Sequence, residues 1–174
     1  MITIYTDGAY SSSSTVGGWA IVIPFDNSIN ICRNHEYNTT NNRMELTAVI
    51  EALKYLKSRP SNAVIYTDSA YIANCISQKW YITWANNGWR TSKKTPVLNK
   101  DLWNELLDLY HYVNLGAFVE IKKVSGHNGE YLNELADTYA VLARTEGADK
   151  YENKQTNENI NIDSDTSRKC QLCI

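Results

Sequence analysis

The chain has 174 residues, of which 43% are hydrophobic and 21% are charged, and its formal net charge is −2. A chain of this size can bury one hydrophobic core, so the simplest arrangement is a single domain. It has no apolar run near the ~18 residues of a membrane span, and its four cysteines lack the regular spacing of a disulfide framework. These features exclude a membrane-embedded or disulfide-stabilised protein. We expect a cytoplasmic monomer with no membrane partner.

Three strands are predicted before the first helix. Residues 2–7 alternate and are β-branched, and they end in an acid, Asp7, at a glycine turn. A second strand over residues 19–23 is stopped by Pro24, and residues 29–37 return as a third strand after a turn signal. Apolar residues then recur with the helical period, which predicts a helix over residues 46–57.

The second half of the chain alternates between helices and strands. Residues 63–67 form a short apolar run typical of a buried parallel strand, and Asp68 follows it directly. Helices are predicted over residues 71–76 and 102–113, a fifth strand over residues 117–124, and a last helix around residues 135–143. This order predicts an α/β fold with one five-stranded mixed sheet. A three-stranded antiparallel meander and two parallel strands would form the sheet, with helices on both faces.

The apolar pattern ends after Gly147. The residues from 150 to 169 are rich in Asn, Asp and Lys, as in a disordered tail. We therefore expect a folded domain over residues 1–147 and a polar tail over residues 148–174. Cys170 and Cys173 form only half of a zinc-binding pattern, so no zinc site is predicted there.

Four acids stand at unusual places. Asp7 and Asp68 end strands, Glu45 lies beside a buried helix stripe, and Asp137 follows Leu135-Ala136 on the last helix. Each acid alone has an ordinary explanation, such as a cap, a turn or a partner of the helix dipole. Together they would repel one another unless divalent cations neutralise them. Carboxylates without Cys or His suit Mg²⁺ or Mn²⁺, and two such ions can promote in-line phosphoryl displacement.

Four segments together resemble ribonuclease H type 1: Thr6-Asp7-Gly8, the run from Thr40 to Leu46, Tyr66-Thr67-Asp68-Ser69, and Gly126-His127 followed ten residues later by Asp137. The resemblance extends from about Ile2 to Glu146. It implies a ribonuclease H-like fold and hydrolysis of the RNA strand of RNA–DNA hybrids, with 5′-phosphate and 3′-hydroxyl products. It also implies that two Mg²⁺ ions, or Mn²⁺, are held by Asp7, Glu45, Asp68 and Asp137. His127 would assist proton transfer or product release.

The resemblance also assigns residues to substrate binding. Asn41 and Asn42 would touch the minor groove near the cleavage site, where amide groups can sense 2′-hydroxyls. Thr40 and Asn99 would form a phosphate pocket on the DNA side. Asn38 stands where the family has an arginine in this pocket. Ala70 replaces a glutamine that usually follows the Asp-Ser pair.

Residues 79–100 resemble the family's basic protrusion, which grips the DNA strand. The protrusion contains aromatic and basic residues that suit stacking and phosphate contact: Lys79, Trp80, Trp84, Trp89, Arg90, Lys93 and Lys94. The alternative is that the tryptophans are packing anchors. Ala85-Asn86-Asn87 stands where the family often has a basic triplet, so weak hybrid binding is expected.

Two other functions remain open at this point. One is a DNA nuclease of the integrase or resolvase type, against which the Asn-Asn-Arg-Met-Glu run and the tryptophan-rich protrusion argue. The other is a hybrid-binding module that has lost its activity, which the presence of all four acids disfavours. Cleavage of a hybrid compared with matched RNA and DNA duplexes would separate the three functions.

Overall fold

The computed structural model describes residues 1–124 and 131–158. Within these residues the strands are β1 (Ile2–Ser11), β2 (Val16–Phe25), β3 (Ser28–Tyr37), β4 (Ala63–Thr67) and β5 (Val119–Lys123). The helices are α1 (Asn41–Ser58), α2 (Ala70–Ser77), α3 (Trp80–Asn86), α4 (Lys100–Val113) and α5 (Tyr131–Glu158). No helix in this part of the chain is both long enough and apolar enough to cross a membrane.

The strands form one mixed sheet in the spatial order β3-β2-β1-β4-β5. β1, β2 and β3 pair antiparallel, whereas β4 pairs parallel with both β1 and β5. Parallel neighbours need a connection that crosses a face of the sheet, and the segment containing α2, α3 and α4 connects β4 to β5 in this way. The predicted fold class is therefore confirmed.

The main core lies between the sheet and the helices α1 and α4. Ile4, Ile65 and Ile121 are cross-strand neighbours on one face of the sheet, and all three are buried in one cluster with Trp103 of α4. α5 covers the opposite face, where the alanines of β1 and β2 pack against Ala140. Small side chains at this contact allow α5 to lie close to the strands. The sheet therefore carries helices on both faces.

β1 does not end at the predicted glycine turn. It continues to Ser11, because residues 5–11 pair with β2. The parallel pairing with β4 stops at Thr6, so Asp7 is the first residue of β1 beyond that ladder. A Cβ atom at Gly8 would overlap the backbone nitrogen of Glu45. Gly8 therefore allows α1 to lie close to β1 and does not form a turn.

β2 also runs further than predicted, because Pro24 does not stop it. Pro24 pairs with Ile29 in the hairpin between β2 and β3. The ladder between β1 and β2 ends at Val22, so the missing N–H group of Pro24 interrupts no bond to β1. Pro24 is therefore tolerated, because it lies beyond the residues of β2 that pair with β1.

α5 continues through Gly147 to Glu158, whereas the sequence pattern predicts disorder from residue 150 onward. A Cβ atom at Gly147 would lie 2.7 Å from the ring of His35 on β3. The glycine therefore lets the helix pass close to the edge strand instead of ending it. The division into residues 1–147 and 148–174 remains a prediction, and residues 159–174, with both tail cysteines, lie outside the described residues.

We expect Gly8→Ala to destabilise the protein by about 1–3 kcal/mol or more, because the added methyl group overlaps the backbone of α1. The control is Gly116→Ala, because a Cβ atom there meets nothing within 4 Å. This control should change stability by no more than about 0.5 kcal/mol. Urea unfolding of both variants checks the prediction. Equal free energies of unfolding for the two variants would show that the approach at Gly8 is not tight.

Candidate active site

The N-terminus of α1 lies at the carboxyl end of the parallel strands. The predicted helix began at residue 46, but the structure begins it at Asn41, because Thr40 acts as the N-cap. The Thr40 hydroxyl accepts a hydrogen bond from the backbone N–H of Arg43 at 3.4 Å. This earlier start places Asn41, Asn42 and Glu45 on the first turns of the helix, and both asparagines are exposed.

The four predicted acids come from four different elements. Asp7 lies inside β1 and is only 7% exposed, and Glu45 is half-buried on α1. Asp68 follows β4 directly, and Asp137 lies on the second turn of α5. Burial and the charges of the other three acids raise the pKa of Asp7 from 3.8 to about 8. The structure therefore brings all four acids within electrostatic reach of one another.

Glu45 and Asp68 are also affected by their surroundings. Burial raises the pKa of Glu45, and hydrogen bonds from Ser69 and Asn41 lower it. The amide Nδ2 of Asn41 donates to Glu45 Oε1 at 2.8 Å, so this side chain has a fixed orientation. The pKa of Asp68 is raised by the partial burial of its carboxyl group and by Asp137, although the residue keeps exposed surface.

Among the side chains described in residues 1–124 and 131–150, no three from His, Cys, Asp or Glu form a ready-made metal cage. The chemistry of the four acids nevertheless fits a hard divalent cation. They offer only oxygen donors, and the raised pKa of Asp7 shows how strongly negative charge is disfavoured there. A cation among them would relieve the repulsion between the carboxylates. Asp7, Glu45, Asp68 and Asp137 could therefore hold Mg²⁺ or Mn²⁺.

The two residues of the predicted phosphate pocket lie at two helix N-termini that Arg43 connects. Thr40 is the N-cap of α1 and Asn99 is the N-cap of α4. Arg43 donates to Asn99 Oδ1 at 3.4 Å and forms a bidentate pair with Asp101 at 3.1 and 2.7 Å. Since Asn99 Oδ1 accepts from Arg43, the amide N–H groups of Asn99 remain as its donors.

Sequence reasoning assigned no role to Arg43 or Asp101. Both residues stand in the first turn of a helix, α1 and α4 respectively. This shared position in a first turn was the available signal of a contact, because first-turn residues of two neighbouring helices can meet. Their pairing across 58 positions of the chain required the packing of α1 on α4.

The predicted protrusion consists of α3 and the segment that follows it. Trp84 is 7% exposed in the main core, with its ring 5.3 Å from that of Trp103 and 6.1 Å from that of Trp89. Trp84 is thus a packing anchor, the alternative that the sequence left open. Trp80 and Trp89 are half-buried and keep some surface. Sequence reasoning missed Trp103, although it lies three positions before Leu106 on the same helical stripe.

The exposed cations of residues 79–100 are Lys79, Arg90, Lys93, Lys94 and Lys100. Arg90 donates to the backbone carbonyl of Lys94 at 2.8 Å, which holds the two basic residues together. Lys100 lies with its Nζ atom 5.3 Å from the centre of the Trp89 ring. The predicted catalytic His127 lies outside the described residues.

The raised pKa of Asp7 predicts a pH dependence of stability in protein without divalent metal. Asp7 binds its proton more tightly in the folded than in the unfolded state, because its pKa rises from 3.8 to about 8. Its contribution to stability is thus retained below pH ~4 and lost as the pH rises towards 8. The loss should be on the order of a few kcal/mol.

Urea unfolding in EDTA between pH 5 and 8 measures this loss. Asp7→Asn should remove most of the pH dependence, whereas Asp26→Asn in the β2–β3 turn should leave it unchanged. If the wild type and Asp7→Asn lose stability equally as the pH rises, the raised pKa of Asp7 is not the cause of the loss.

A protein-family model described as RNase H matches residues 1–145 of this chain. A Ribonuclease H from Caldicellulosiruptor saccharolyticus is 45% identical over 139 residues, which cover 80% of this chain and 92% of the relative. A Ribonuclease H from Ehrlichia canis is 46% identical over 146 residues, which cover 83% of this chain and 93% of the relative.

Two solved structures are similar to this chain in fold. The crystal structure of LC9-RNase H1, a type 1 RNase H with the type 2 active-site motif, aligns with a TM-score of 0.67 at 29% identity, over 83% of this chain and 72% of that chain. The foamy viral protease-reverse transcriptase in complex with an RNA/DNA hybrid has a TM-score of 0.66 at 23% identity, over 82% of this chain and 20% of that chain, and shows the fold alone. The family model and the two bacterial relatives show that the chain belongs to the RNase H family.

Proposed function

We propose that this ribonuclease H is an endonuclease that cuts the RNA strand of RNA–DNA hybrids with two Mg²⁺ ions, or Mn²⁺, and leaves 5′-phosphate and 3′-hydroxyl ends. The observation that carries the proposal is the group of four acids around Asp7. Separate parts of the chain supply the four acids, and burial together with the charges of the other three raises the pKa of Asp7 to about 8. An ordinary cap or turn acid would not need three charged neighbours.

Asp7, Glu45, Asp68 and Asp137 are the residues that would hold the ions. When bound, the ions activate the attacking water and stabilise the leaving oxygen. The protein contributes rigid placement, since Asp7 is fixed within β1 and Asn41 holds Glu45 by a 2.8 Å hydrogen bond. His127 would move a proton or help the product leave, since an imidazole titrates near neutral pH.

Recognition of the RNA strand would rest on the exposed amides at the start of α1. Asn41 and Asn42 can donate to and accept from 2′-hydroxyl groups. Asn41 also contacts Glu45, so the residue that senses the RNA is joined to a metal ligand. A hybrid seated on Asn41 would thereby align Glu45 for cleavage.

The DNA strand would be held by the phosphate pocket and the protrusion. Thr40 and Asn99 offer a hydroxyl and an amide beside two helix N-termini, which favour phosphate groups. Trp80, Trp89, Lys93 and Lys94 would supply the remaining surface, with Trp84 supporting them from the core. A monomer in the cytoplasm is part of this proposal.

We expect Asp7→Asn to lower the rate of hybrid cleavage by at least about 100-fold, because it removes a buried metal ligand. The dissociation constant of the hybrid should stay within about threefold of the wild-type value, because the substitution removes a negative charge and adds no repulsion towards the substrate. Cleavage of a labelled hybrid, an RNA duplex and a DNA duplex, each with and without Mg²⁺, provides the measurement.

The same assay separates the other functions. Preferred cleavage of the DNA duplex would favour the integrase- or resolvase-like nuclease, and binding without cleavage would favour the inactive module. Substantial activity of Asp7→Asn in saturating Mg²⁺ would contradict the role of Asp7.

Adding positive charge to the protrusion should increase the affinity for the hybrid. Ala85, Asn86 and Asn87 are exposed on and after α3. The triple variant Ala85→Lys, Asn86→Lys and Asn87→Arg should lower the Michaelis constant several-fold with little change in turnover number. The logarithm of affinity should fall more steeply with the logarithm of salt, by about 0.7–0.9 for each new phosphate contact.

The matched control adds the same three charges to the opposite end of the sheet, at exposed positions of the β2–β3 hairpin. It consists of Asn27→Lys, Ser28→Lys and Asn30→Arg. If both triple variants change affinity and salt slope equally, the effect is one of net charge and the protrusion has no special contact with nucleic acid.

A further inference from the structure

Lys123 stands at the end of β5, beside the strand end that carries Asp68. In the parallel pairing of β4 and β5, Lys123 lies opposite Thr67, the residue before Asp68. The backbone N–H of Val124 donates to the carbonyl of Thr67 at 2.9 Å, which extends this pairing to the end of both strands. Lys123 is exposed, and it lies on the same face of the sheet as Ile121.

Lys123 lies close enough to Asp68 for its positive charge to act on that carboxylate. It lowers the pKa of Asp68, against the raising effects of burial and Asp137. Among the groups that shift the pKa values of Asp7, Glu45 and Asp68 in the described part of the chain, Lys123 is the only cation. Asp68 therefore has a basic side chain close to it.

Lys122 is adjacent in sequence but differs in its surroundings. It lies on the other face of β5, where its Nζ atom pairs with Glu120 at 2.7 Å. Among the side chains described in residues 1–124 and 131–150, no carboxylate lies within the 4.0 Å of an ion pair from Lys123. Lys123 is thus exposed, close to the acids and without an acidic partner in this part of the structure.

We propose that Lys123 contacts a backbone phosphate of the RNA strand next to the four acids, an inference that rests on the proposed function. A nucleic acid that approaches four carboxylates is repelled by them, and an ammonium group beside them offsets part of this repulsion. Lysine binds phosphate as a compact point charge and does not need a planar partner. The contact supplies positive charge at the cleavage site itself, while the protrusion holds the other strand.

The test compares Lys123→Met with Lys122→Met as the matched control. At moderate salt, Lys123→Met should raise the Michaelis constant for the hybrid about 3- to 10-fold and make the salt slope less steep by about 1, as for the loss of one phosphate contact. The turnover number at saturating hybrid should stay within about twofold. Lys123→Arg should restore the affinity, and Lys122→Met should match the wild type in both quantities.

Direct binding gives a readout that does not depend on cleavage. In the Asp7→Asn background with Mg²⁺, Lys123→Met should raise the dissociation constant of a fluorescent hybrid by the same factor, regardless of base sequence. Melting temperatures verify that each variant folds, and Lys123→Gln replaces Lys123→Met if the latter does not.

The outcomes separate this inference from the proposed function. If the wild type does not cleave the hybrid, the proposed function fails. If it does cleave, but Lys123→Met matches Lys122→Met in Michaelis constant, salt slope and binding, only the inference about Lys123 fails. A loss of turnover number without a change in affinity would also overturn it, because it would place Lys123 in the chemical step.

Discussion

Repulsion between carboxylates limits how this protein can fold around its active site. Asp7 is held inside a strand at 7% exposure, and burial together with three neighbouring acids raises its pKa to about 8. Gly8 lets the N-terminus of α1 come close to β1, which brings Glu45 towards Asp7. Without bound cations, the buried core on both faces of the sheet must hold these groups together against their repulsion. The proposed active site is therefore a place where stability is reduced in favour of function.

The order of the elements and the four acids could be predicted because they depend on local patterns. The short apolar run before Asp68 indicates a buried parallel strand, and its carboxyl end is where clefts form in such sheets. The helical period after Glu45 places that acid beside the buried stripe. The glycine after Asp7 was interpreted wrongly, because a turn and a close approach to another backbone produce the same signal in one sequence.

The remaining features depend on contacts between distant parts of the chain. Arg43 meets Asn99 and Asp101 only after α1 packs on α4, and its place in the first turn of α1 does not specify which residues it will meet. The role of Trp84 as a packing anchor depends on Trp103, whose position on α4 did not show which tryptophans it would contact. Lys123 gains its position from the register of β4 and β5, which the sequence does not specify residue by residue. In each case the tertiary structure decides between two uses of the same residue type.

The most direct test of this account is to count the divalent ions that the four acids hold. Mn²⁺ can be titrated into the complex with a hybrid that cannot be cleaved, and the free ion can be followed by electron paramagnetic resonance. We expect about two tightly bound ions per complex, and a loss of at least one of them in Asp68→Asn and in Asp137→Asn. If Mn²⁺ binding is the same in the wild type and in both variants, the four acids are not the metal site.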